Sequence, residues 1–136
     1  MKKFPLEKAY TLLEPGPVVL VTTADNGKQN ILTLSWTMVM DFTPQFAFLT
    51  GPWNYSYKAE NVSAPLIKEC YANIECRIVD HIQKHNIFIL DGLAAWVDSA
   101  RAEKRCFHAI GDGRFRVDGE LINHRRIMLA KLPSGV

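Results

Sequence analysis

Near the start of the chain, Leu6, Ala9, Tyr10 and Leu13 stand at i, i+3, i+4 and i+7 behind Pro5. This spacing predicts a short amphipathic helix with proline at its first turn. Pro15-Gly16-Pro17 ends it. From Val18 the pattern turns to β: "VVLVTT" leads into Asn26-Gly27, the dipeptide that tight hairpins favour, and then into "NILTLSWTMVM", Asn30 to Met40. In that run Thr33, Ser35 and Thr37 alternate with Leu34, Trp36, Met38 and Met40, so a continuous strand would carry a row of hydroxyls along one face.

Further on, "DFTPQ" separates this run from "FAFLT", which ends at Gly51-Pro52. "ECYANIECRIVDH" alternates, with Cys70, Ala72, Ile74, Cys76 and Ile78 on one face, and "NIFILDGLAAWV" reads as its antiparallel partner across "QKH". Asp118-Gly119 reads as a hairpin turn between "RFRV" and "ELI", whereas Gly111 to Gly113 is a turn signal only. "NHRRIMLAKL" reads as a terminal helical turn or an arm. Roughly five to seven strands behind one helix predict a mainly β fold, a largely antiparallel barrel or sandwich. No βαβ alternation and no G-x-G-x-x-G after a strand is present, which argues against a dinucleotide fold.

Composition changes this picture little. The chain has 136 residues, 48% hydrophobic and 22% charged, so a single domain over 1–136 with its own core is expected. No apolar run approaches the ~20 residues of a membrane-spanning helix. Met1-Lys2-Lys3 leads straight into Glu7 and Lys8 without an apolar signal region, and a cytoplasmic protein is expected. A formal charge of +2 with scattered basic residues does not call for a nucleic acid. Cys70, Cys76 and Cys106 are an odd number without C-x-x-C spacing and are read as free thiols.

Few residues offer chemistry of their own. His81 and His85 have i, i+4 spacing, but they fall at the expected "QKH" turn without a third ligand, so they read as surface histidines. Cys106 and His108 would share a strand face, yet nothing else in the chain suggests hydrolytic catalysis. Two features remain. One is the hydroxyl row; the other is "TGPWNYSYK", Thr50 to Lys58, where flat aromatic rings mix with short donors in a way that suits a planar ligand with an anionic tail. A half-exposed strand and an ordinary aromatic loop account for them equally well.

Taken together, "EPGPVVLVTTADNGKQNILTLSWTMVMDFTPQFAFLTGPWNYSYK" resembles the N-terminal half of the flavin reductase-like FMN-binding proteins. The shared order is a P-x-P-V-x-L-V-T-T strand, an N-x-x-x-x-S-W strand, a D-x-x-P turn and a G-P-x-x-x-S-Y loop. "APLIKECYANIECRIVD" and "GDGRFRVDGE" are similar to later segments of that family. The resemblance implies a split antiparallel β-barrel, the FMN-binding split barrel, here with a short N-terminal helix. It further implies a homodimer with one FMN held noncovalently in each subunit.

It also implies the site. Asn30, Thr33, Leu34, Ser35, Trp36 and Thr37 would lie beside the flavin, and Thr50, Gly51, Asn54, Tyr55, Ser56 and Tyr57 would hold its phosphate and ribityl chain, with Lys58 adding a positive charge. Trp36 or Trp53 would cover the ring, and His108 is a weak candidate for a proton donor or nicotinamide contact. The expected function is a flavin reductase that passes electrons from NAD(P)H through FMN to an acceptor. The alternatives are an FMN electron carrier without nicotinamide activity and a cofactor-free β-barrel binding module. One departure stands out: only "KAENVS" separates Tyr57 from Ala64, where the family pattern carries a few tens of residues. Either a deletion or a missing segment near 58–61 is expected.

Overall fold

The computed structural model describes residues 1–14, 16–41, 44–49 and 64–128. Its strands are β1 (Lys2–Phe4), β2 (Val19–Asp25), β3 (Lys28–Leu34), β4 (Thr37–Asp41), β5 (Gln45–Leu49), β6 (Ala72–Ile82), β7 (Ile87–Val97), β8 (Phe107–Gly111) and β9 (Arg114–Val117). A 3₁₀ helix, Leu6–Leu12, follows β1, and a single helical turn, α1 (Arg125–Met128), closes the described chain. The predicted N-terminal helix is therefore present in tighter form. It buries Ala9 and Tyr10, two of the positions that its spacing placed on one side.

The strands form a curled, mainly antiparallel half-barrel. Its five-stranded sheet runs β1-β7-β5-β4, with β6 along the other edge of β7. β7 is the spine: Ile87 to Val97 pair with β6, Ile87 to Asp91 also meet β5, and Ala95 to Val97 meet β1. The β6–β7 hairpin turns through Gln83–His85, and Asn86 takes a left-handed φ of 52° to close it. β2 and β3 form a separate hairpin. Asn26 (φ 47°) and Gly27 (φ 77°) give it the two left-handed positions of a type I′ turn, which is why Asn-Gly was so clear a signal.

Two apolar clusters meet inside the curl. In one, Phe46 and Ala95 pack with Ala9 and Tyr10 of the 3₁₀ helix; in the other, Leu34 of β3 packs with Phe48 and Phe88 of the large sheet. Leu90 touches both clusters. Leu34 is therefore the buried residue at the centre of the contact that fastens the β2–β3 hairpin to the sheet, with Val19, Val21 and Leu32 packed beside it; fully burying a leucine contributes about 1.5–3 kcal/mol.

Two expectations are corrected. The hydroxyl-bearing strand is not continuous. It breaks at Ser35-Trp36, with β3 in the two-stranded sheet and β4 at the edge of the five-stranded one. The last hairpin turns at Asp112-Gly113, joining β8 to β9, and Asp118-Gly119 lies after it. Phe107, Ala109, Phe115 and Val117 supply apolar positions that match across the β8–β9 ladder, whereas "ELI" has no such partner. The 58–61 junction lies outside the described residues.

Candidate functional site

The break at Ser35-Trp36 inverts which side chains face inward. In β3, Leu34 is buried while Thr33 is exposed; in β4, Thr37 and Val39 are half-buried while Met38 and Met40 are exposed. Inward positions are even-numbered before the break and odd-numbered after it. The three hydroxyls therefore do not share a face: Thr33 points outward, Ser35 sits in the break, and Thr37 turns in. Trp36, between them, is 60% exposed. The Thr37 hydroxyl oxygen is buried and has no hydrogen-bond partner among the described residues. An unpaired buried hydroxyl costs about 1–3 kcal/mol, so its presence points to a partner supplied from elsewhere.

Thr37 is backed by the turn before β2. Gly16 there has φ 81°, and a Cβ built on it would lie 3.5 Å from the Thr37 carbonyl oxygen, so this turn rests directly on the start of β4. The turn is held in its place by the β8–β9 hairpin. The Val18 amide donates to the Phe107 carbonyl (2.9 Å), and His108 Nδ1 faces the Gly16 carbonyl at 3.2 Å. His108 Nε2 lies 2.7 Å from Asp118 Oδ1. The other Asp118 oxygen accepts the Cys106 amide at 2.8 Å, and the Asp118 amide donates back to the Cys106 carbonyl at 3.0 Å. The bond to Asp118 raises the His108 pKa above its ordinary value. The Cys106 amide, with His108, lowers that of Asp118.

The other sequence-predicted residues are placed unevenly. Asn30 lies on exposed β3 and bonds its own strand, its Oδ1 accepting the Ile31 amide at 2.9 Å. It borders an open groove of about 480 Å³ between the β2–β3 hairpin and residues 65–69, where Thr22 donates to the Pro65 carbonyl. Thr50, Gly51, Trp53, Asn54, Tyr55, Ser56, Tyr57 and Lys58 lie outside the described residues. His108 is brought next to the Gly16 turn, with both ring nitrogens already engaged. His81 stacks on Phe88, ring centres 4.0 Å apart. All three cysteines are free thiols. Sequence reasoning missed Gly16 and Asp118: Gly16 was read only as a helix breaker and Asp118 only as a turn residue.

This architecture is that of a small antiparallel half-barrel in which an interrupted strand presents side chains beside an unpartnered hydroxyl. The chain belongs to the flavin reductase like domain family, whose model matches residues 45–125. That span includes His108 and Asp118, while the break at Ser35-Trp36 precedes it. In fold the chain is similar to an FMN-binding domain of a flavin reductases-like enzyme from Shewanella baltica OS155, with a TM-score of 0.77 and 20% identity over 90% of this chain and 96% of that one. No match to a curated protein was found.

Proposed function

We propose that the chain binds FMN noncovalently and works as an oxidoreductase of the flavin reductase type, taking electrons from NAD(P)H and passing them to an acceptor. Membership of the flavin reductase like family and the fold shared with an FMN-binding domain support the cofactor. The observation that carries the site is the buried, unpartnered hydroxyl of Thr37 beside the exposed Trp36. A ribityl hydroxyl or phosphate oxygen would complete such a group, and a phosphate would make the bond charge-assisted.

In this reading Thr37 and Ser35 bind the polar chain of the cofactor, Trp36 covers its ring, and Asn30, Thr33 and Leu34 form the strand that leads to them. Residues 50–58 supply the remaining phosphate contacts. Bound FMN supplies the redox chemistry; the protein orients it and excludes water from one side of it. Accordingly the fold needs no nucleophile or acid/base pair of its own. We further place the protein in the cytoplasm as one domain that pairs with a second copy. Exposed Met38 and Met40 on edge strand β4 and Phe115 and Val117 on β9 are apolar surfaces that such pairing would cover.

Titration with FMN tests the proposal. Saturable quenching of flavin fluorescence together with a rise in Tm is the expected result, and a purified protein that is colourless and unresponsive to FMN overturns it. NAD(P)H oxidation under air then separates a reductase from an electron carrier that never meets a nicotinamide.

A further inference from the structure

His108 has geometry that a neutral imidazole does not satisfy. Its two ring nitrogens face two acceptors, the Asp118 carboxylate at 2.7 Å and the Gly16 carbonyl at 3.2 Å. A neutral ring donates from one nitrogen only, and its second nitrogen would then set a lone pair against an oxygen. The imidazolium donates from both. The surroundings are built for this form: Asp118 is fixed at the hairpin base by the Cys106 amide and carbonyl, so its carboxylate is already in place.

Other charged groups near this contact can be named from each packed element. Arg116 stands opposite His108 in the β8–β9 ladder. Arg105, ahead of β8, interacts with Asp118 but is itself paired with Glu103 at 2.6 Å. Cys106 contributes a thiol whose pKa is raised, chiefly by burial, and which stays neutral beside Asp118. From the turn before β2 the Gly16 carbonyl faces the ring.

We propose that His108 is a proton-dependent positioning residue. When charged, it clasps the β8–β9 hairpin onto the Gly16 turn and so fixes the start of β4 at Thr37; when neutral, it releases the Gly16 side. The chain of contact runs His108 to Gly16 by hydrogen bond, and Gly16 to Thr37 by backbone packing at 3.5 Å from its would-be Cβ. His108 reaches the candidate site only through these two residues, which separates this role from direct proton donation to a bound group.

The sign follows from the two titrations. His108 has a raised folded pKa, so its contribution is fully present below the ordinary histidine value and is lost as pH rises through the raised one. Asp118 has a lowered folded pKa, so its contribution is present above the ordinary carboxylate value and is lost only as pH falls through the lowered one. The clasp is therefore closed between the lowered Asp118 value and the raised His108 value, and it opens as pH climbs through the latter.

NMR of the flavin-free chain tests this without relying on the FMN assignment. The His108 ring protons should titrate above the ordinary value of about 6.5, and the amide shifts of Gly16, Val18 and Thr37 should move with the same midpoint. In Asp118→Asn the midpoint should fall, because the acceptor that raises it loses its charge. His108→Gln keeps a donor for Asp118 but cannot titrate, so those three amides should lose the transition while the fold persists. An ordinary or lowered His108 midpoint, or backbone amides that ignore it, overturns the proposal even if the protein binds FMN tightly. Where FMN binds, its Kd should rise several-fold across the same midpoint in the wild type and stay flat in His108→Gln; a Kd that is flat in both overturns the link to the site. If FMN does not bind at any pH, the proposed function fails while the amide shifts still decide the clasp.

Discussion

Leu34 and Thr37 both turn toward the interior although an odd number of steps separates them. In an unbroken strand such residues would face opposite ways. Leu34, at 6% exposed, anchors the β2–β3 hairpin on Phe48 and Phe88, and the Thr37 hydroxyl is buried without a partner among the described residues. The inversion happens within Ser35-Trp36, and it leaves Trp36 as the exposed residue between two inward ones. An interrupted strand thus achieves what a regular one cannot: an apolar anchor and a buried polar group on the same side, with an aromatic ring beside them.

Thr37→Val follows directly. It keeps the shape of the side chain and removes the unsatisfied hydroxyl, so the flavin-free protein should be as stable as the wild type or more stable by up to about 1 kcal/mol. Affinity for FMN should drop about 2- to 12-fold, the worth of one neutral hydrogen bond. Chemical denaturation and FMN titration read the two effects separately. A variant that loses stability and keeps its FMN affinity would place the partner of Thr37 within the protein.

Much of the fold was legible because its signals are local. Asn26-Gly27 specifies its own turn, and alternation in β6, with Ile74, Cys76 and Ile78 inward and Glu75 and Arg77 outward, survives the register shifts at Glu75/Cys76 and Ile78/Asp80. The break at Ser35-Trp36 was not legible, since Thr, Ser and Trp all suit strands and nothing in "LTLSWTM" interrupts the period. Only the packing of Leu34 against Phe48, and of Val39 against the cluster around Phe46, demands the inversion. The last hairpin was misplaced for a related reason: Asp-Gly occurs at both 112–113 and 118–119, and which one turns depends on the cross-strand match of Phe115 and Val117 with Ala109 and Phe107. The candidate site was half legible. The family pattern named the strand, but the clasp on it joins Gly16 to His108 and Asp118, residues about a hundred positions away in sequence, and leaves no local signature.

Gly92 in β7 leaves little room for a side chain. A Cβ there would lie 3.1 Å from the Pro44 carbonyl oxygen, the Pro44 Cβ and Phe46 Cε2, and its amide already donates to that carbonyl at 2.6 Å. Two of the three neighbours belong to a proline held by this bond, so they yield little. Gly92→Ala should destabilise by about 1–3 kcal/mol through overpacking, visible as a lower midpoint in urea with an unchanged m-value. A midpoint within error of the wild type would show that the β4–β5 connection gives way freely.

Cys76 lies in β6 against the first apolar cluster, and burial, with the nearby Asp91 and Glu75 carboxylates, pushes its thiol up to about 12. The folded state thus keeps the proton that an unfolded cysteine gives up near its ordinary value. Its neutral thiol is compatible with the fold below that ordinary value, and stability falls as pH rises from there toward 12. At pH 8 a thiolate-selective alkylating reagent should label Cys70 and Cys106 well before Cys76, as mass spectrometry of timed samples can show. Equal rates at all three would mean that the β6 face opens far more readily than its packing suggests.

Trp36 separates a fold role from a ligand role cleanly. At 60% exposed it contributes little to stability, so Trp36→Phe should shift unfolding by no more than about 0.5 kcal/mol. If its indole covers the flavin ring, the same change should weaken FMN about 2- to 12-fold, the range of one aromatic pair, and should remove much of the tryptophan quenching that FMN produces. Trp96 remains as an internal reference for that signal. Trp96 donates its indole N–H to Glu75 at 2.6 Å, well away from β4, so its emission should respond little. Unchanged affinity and unchanged quenching in Trp36→Phe would move the ring contact to Trp53 and leave Trp36 as part of the exposed edge of β4.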